Sequence, residues 1–125
     1  MTRSNERGQA TVELALCLPL VALLLAGFVQ VGVLVGDQVR LWHAAREAAR
    51  VAVVDPDLDS ARAAAERGGL SGLTLDVRPD AAFRVQGRAL TVSLSYVPTR
   101  RIPLLGRLLD SLELHAQATM RIEQP

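Results

Sequence analysis

From Leu14 to Gly36 the chain carries no charged side chain. That run limits the possible folds more than any other feature. About 23 residues at ~1.5 Å rise form a helix of ~35 Å, enough to cross the ~30 Å hydrocarbon core of a bilayer with some tilt. Gln30 is its only strongly polar member. Pro19 would break a soluble helix, but in a membrane helix it is tolerated as a kink. The run is too long for a signal-peptide core, and no A-x-A-like site follows it. Cys17, the one cysteine, lies inside the run and has no partner for an intrachain disulfide. It follows Leu16 and has its apolar stretch downstream, so it does not fit a lipidation site. Arginines flank both ends: Arg3 and Arg7 before the run, and Arg40, Arg46 and Arg50 after it. Counting them does not orient the span.

Composition narrows the function. The formal net charge is +1, so nucleic acid is not an expected partner. All 14 basic residues are arginine, which reads as a coding bias rather than a phosphate site.

Beyond the span, no proline or loop signal interrupts the helical pattern, and a helix from Thr11 to Val54 is expected. Leu41, Ala44, Ala45, Ala48, Val51 and Ala52 fall on one face, with Arg40, His43, Arg46, Glu47 and Arg50 opposite. Asp55-Pro56 ends the helix. A short helix over Leu58–Arg67 stops at Gly68-Gly69. The periodicity then changes to two. Leu73, Leu75 and Val77, then Leu90, Val92, Leu94 and Tyr96, then Leu112 through Ile122 alternate with polar residues. Each run predicts a strand with one wet and one buried face. Phe83 and Val85 suggest a further short strand, with a turn at Gly87. The fold class is therefore α+β: a long N-terminal transmembrane helix continuing into a small antiparallel sheet domain of three or four strands. The Ala-rich stripe has two possible partners, the chain's own sheet or a neighbouring helix. The segment "PTRRIPLLGRLLDSL" is either a lid on the core or a surface lying on the membrane or a neighbouring subunit.

Catalytic chemistry is not expected. His43 and His115 fall on polar faces without a Cys or His at metal-ligand spacing. Asp55, Asp57 and Asp59 read as a turn and helix cap, because the glycine and terminal glutamate of a calcium loop are missing. No phosphate loop, nucleophile elbow or HExxH motif is present. No enzyme activity, cofactor or metal is expected.

Two small-residue patterns bear on helix contacts. Gly32 and Gly36 form a GxxxG, and Ala44, Ala48 and Ala52 continue the theme. Glu13 stands at the mouth of the apolar run. A carboxylate there costs up to ~3 kcal/mol at mid-bilayer and less near the interface. It either sits harmlessly in the first helical turn, favoured by the helix dipole, or has a use there.

The stretch "RGQATVELALCLPL", the glycine-containing apolar run and "AAREAARVAVV" together resemble the TadE-like family of the tight-adherence (Flp) pilus machinery, whose N-termini are type IV pilin-like. The resemblance covers about Arg7 to Val54. It implies a leader over residues 1–8, cut between Gly8 and Gln9 by a membrane-embedded prepilin peptidase on the cytoplasmic side. It implies a transmembrane helix over 9–36, a projecting amphipathic helix over 37–54 and a small extracytoplasmic α+β domain over 55–125, pilin-like in outline. Glu13, fifth after the cut, would pair with the free amine of another pilin subunit and set helix register. Gln9 departs from the aromatic residue usual there in major pilins, and an N-terminal glutamine can cyclise and lose its amine.

The expected function is a minor pilin, or pseudopilin, held in the membrane and partnered by other pilin subunits. The alternative is a monomeric signal-anchored envelope protein whose outer domain binds a partner. A third reading, a domain released by signal peptidase, predicts a start beyond about residue 27.

Overall fold

The computed structural model describes residues 3–99 and 111–123, with side chains from Gly8 onward. Helix α1 runs Arg3–Ala52, α2 Leu58–Glu66, and strands β1, β2 and β3 run Thr74–Arg78, Ala89–Tyr96 and Leu114–Arg121. A 3₁₀ turn, Ala81–Phe83, lies between β1 and β2. The chain forms two units, one up to Leu34 and one from Val35 onward.

In the first unit α1 passes through Pro19 without a break. Proline has no N–H, so the Ala15 carbonyl lacks its usual donor there. Apolar side chains stand exposed around the whole helix, from Val12 and Leu14 to Phe28 and Val31. None of its most apolar window is covered by the protein. A helix that is apolar all round needs an apolar surrounding, and this one is long and apolar enough to cross a membrane. α1 starts at Arg3 instead of Thr11, because nothing ahead of Thr11 stops a helix. Gly8 costs only ~1 kcal/mol in its interior.

In the second unit the rest of α1 and α2 pack with one antiparallel sheet of order β1-β2-β3. The register pairs Val77 with Val92 and Leu75 with Leu94, then Val92 with Ala118 and Leu94 with Ala116. One sheet face is apolar and carries the fully buried Leu90, Val92 and Leu94. The other is polar, where the Thr91 and Thr119 hydroxyls lie 2.9 Å apart and Gln117 Nε2 donates to Ser93 Oγ at 3.3 Å. Ala44, Ala45, Ala48, Ala49 and Ala52 of α1 join Ala61 and Ala65 of α2 in the same core. The Ala stripe is therefore covered by its own chain. Methyl-sized residues let helices and sheet approach closely, and Gly68 continues this contact: a Cβ there would lie 3.9 Å from Ala44 Cβ.

Several expected boundaries shift. Ala49 replaces Val51 in the buried face, and Val51 is half-exposed. The face centres on Ala45 and Ala48, with Ala44 on one flank and Ala49 on the other. α1 ends at Ala52, with Val53 and Val54 forming a turn. Val54 and Asp55 N–H both donate to Val51 O, at 3.0 and 2.8 Å. α2 ends at Glu66, and Gly69 takes a φ of 84° beyond it. The strand expected at Phe83 and Val85 is absent: Phe83 closes the 3₁₀ turn, and both side chains are exposed. Phe83 N–H donates to Asp80 O at 2.8 Å, so the backbone is turned where a strand would need it extended. β3 begins at Leu114, and Leu112 precedes it, half-exposed. The expected lid falls largely on residues 100–110, outside the described residues. Three strands are found among the described residues. The turn at Gly87 is present, with φ 81° and its N–H donating to Ile122 O at 2.9 Å.

Candidate assembly site at the head of the apolar helix

Gly8, Gln9 and Glu13 all lie within α1, and all three are exposed. A Cβ placed on Gly8 would meet nothing within 4 Å, so the Gly8–Gln9 bond is open on its flank. Helical backbone does not fit an extended cleft, however, and cutting this bond would need the first turns to unwind. Glycine lowers that cost, since it is ~1 kcal/mol poorer in a helix than alanine.

Helical spacing brings Gln9 and Glu13 together at i and i+4, and Gln9 Nε2 donates to Glu13 Oε1 at 3.2 Å. The contact is neutral. Among the described residues Glu13 has no ion-pair partner. A chain beginning at Gln9 would place Glu13 in the opening turns of the helix, close to the positive end of its dipole.

Further along, Gly32 and Gly36 leave flat spots: a Cβ at either would find open space within 4 Å. Ala44, Ala48 and Ala52 are 0–3% exposed in the chain's own core, so they are not available to another helix. The structure thus separates the small-residue positions into an open pair and a filled trio. At the end of the apolar run, Asp37 is buried and its Oδ1 lies 3.7 Å from Arg40 Nη1. Gln38 Nε2 donates to His115 O at 2.8 Å, tying α1 to β3.

His43 and His115 are both exposed, and His115 Nε2 lies 3.9 Å from Glu113 Oε2. The three aspartates form the expected turn and cap. Asp57 N–H donates to Asp55 Oδ1 at 2.9 Å, and Asp59 N–H to Asp57 Oδ1 at 3.2 Å. The Asp55 carboxyl is held below its ordinary value by the Asp57 N–H, with the Ser60 hydroxyl and the Arg84 charge adding to the effect.

Sequence reasoning missed Arg84. It is buried; its Nη1 donates to Ala52 O at 3.2 Å and its Nε to Pro79 O at 3.4 Å. The helical donor to Ala52 O would come from residue 56, which is Pro56 and has no N–H. Arg84 supplies the donor and places a cation at the negative end of α1. The signal was present in the sequence: a proline four residues after the last helical position calls for a donor from elsewhere.

Residues 8–50 match the family model described as TadE-like protein. No curated protein and no solved structure matches the chain.

Proposed function

We propose that this chain, TadE-like over residues 8–50, is a minor pilin (pseudopilin) of a tight-adherence pilus, assembled through α1. The observation that carries the reading is Glu13, an acid whose contact among the described residues is a neutral amide, at the mouth of the uncharged, largely exposed run of α1. A carboxylate in that position is stabilised by a cation that arrives with another subunit. Prepilin peptidase cuts between Gly8 and Gln9 and frees an amine. The amine of one subunit meets Glu13 of the next, and the pairing selects correctly staggered helices. The open surfaces at Gly32 and Gly36 admit a neighbouring helix. Cleavage on the cytoplasmic side puts the sheet domain outside. Chemistry plays no part, and the protein works as a structural subunit.

A second reading is favoured by the buried Ala stripe. The unit from Val35 onward fills its own core, as a self-contained outer domain on a signal anchor would.

Mass spectrometry of protein taken from membranes separates the two. The pilin reading expects a mature chain starting at Gln9, and the anchor reading an intact N-terminus. Glu13→Ala should leave membrane insertion unchanged and reduce pilus number. An unchanged pilus count in that variant rules out the pairing role.

A further inference from the structure

α1 and α2 enclose an open groove of about 510 Å³ on the second unit, lined by His43, Arg46, Glu47, Arg50 and Arg67 among others. Its floor is small, formed by Ala44, Ala64 and Gly68. Arg46, Arg50 and Arg67 line the groove with one carboxylate, Glu47, and among the described residues none of the three arginines has an ion-pair partner. Three unpaired guanidiniums around a recess present a fork geometry suited to carboxylates.

The complementary group is found on the chain itself. The turn after α1 carries Asp55, Asp57 and Asp59 within five positions, with Asp57 and Asp59 exposed. Asp59 caps nothing and its carboxylate has no hydrogen-bond donor among the described residues. The groove and the turn lie at different heights on α1. Arg46 and Arg50 are about 15 and 21 Å beyond Gly36 along the helix, and the turn lies ~5 Å further on, since α2 runs back from it to Gly68 beside Ala44.

The geometry points to a contact between two copies of this chain, in which the Asp55–Asp59 turn of one copy enters the arginine groove between α1 and α2 of the next. The contact rests on the assembly reading above, because it needs copies side by side. It adds an axial stagger of about 5–10 Å to that reading, set by the offset between groove and turn.

The test uses two differently labelled full-length copies reconstituted in vesicles of neutral lipid, with association read by resonance energy transfer. Arg46→Glu combined with Arg50→Glu should weaken association roughly fivefold, the scale of two exposed ion pairs. Asp59→Arg should weaken it as well, and mixing the two swapped chains should restore it. Arg62→Glu, exposed on α2 outside the groove, is the control and should change nothing. Unfolding curves for each variant exclude loss of fold. Association unchanged by the swaps, or not restored on mixing, overturns the contact. So does binding that appears only as the acidic-lipid fraction rises, which would make a headgroup the occupant. Failure here leaves the N-terminal mass and the Glu13→Ala pilus count to decide the assembly reading separately.

Discussion

Arg84→Ala is expected to destabilise the second unit by about 2 kcal/mol. The substitution removes the donor to Ala52 O at 3.2 Å and the weaker one to Pro79 O at 3.4 Å. A hydrogen bond from a charged donor contributes ~1.5–3 kcal/mol, and a cation at a helix C-terminus up to ~2 in partly buried geometry. Against these stands the desolvation of a buried guanidinium, which the variant no longer bears. The net falls near the lower hydrogen-bond figure. Pro56 makes the loss hard to repair, since residue 56 has no N–H to put in place of Arg84. For a unit of this size 1 kcal/mol moves Tm by ~4–8 °C, so a fall of roughly 8–16 °C is expected. The assay is thermal unfolding of the full chain in detergent, followed by circular dichroism. Arg88→Ala, exposed in the same hairpin, should stay within ~0.5 kcal/mol and serves as the control. If Arg84→Ala melts together with Arg88→Ala, the Ala52 carbonyl is satisfied in some other way and the capping argument fails.

Two other outcomes follow from the same unit. Ala48→Leu should destabilise by ~1–3 kcal/mol through overpacking, since Ala48 is fully buried where α1 meets its core; a melt no lower than that of the parent would show slack in the seam. Asp55 titrates below its ordinary value of 3.8, so its contribution is complete above that value and is lost as pH falls through the depressed one. Asp55→Asn should therefore flatten the acid limb of the stability–pH curve below about pH 4 and leave the neutral region parallel to the parent; identical acid limbs would remove Asp55 from the account.

Much of this architecture is legible in the residues because it rests on periodicity. The alternation from Leu114 to Ile122 marks a strand and its buried face together, and the structure buries Ala116 and Ile122 while exposing His115, Gln117 and Arg121. The uncharged run from Leu14 to Gly36 needs only counting. Legibility ends where one element's environment is set by another. Val51 and Ala49 lie on opposite flanks of the face on an isolated wheel, and only the tertiary packing decides which flank is covered. Phe83 and Val85 look strand-like by type, yet the backbone turns at Asp80 and leaves both side chains in the open. Arg84 reads as an ordinary solvated arginine until the missing N–H of Pro56 is set beside it. Glu13 stands out in the sequence as an acid at the mouth of the apolar run, and the Gln9 amide beside it follows from helical i, i+4 spacing.

The buried alanines of α1 leave the protein an uneven freedom to change over evolutionary time. Positions such as Ala45 and Ala49 are already fully enclosed with one methyl each, so they can lose an atom but have no room to gain one. Compensating bulk has to be accommodated elsewhere, in the sheet's large enclosed side chains such as Leu90 and Leu94. Homologous domains built on this plan should therefore vary in size on the strand side of the core, while the helical side stays small.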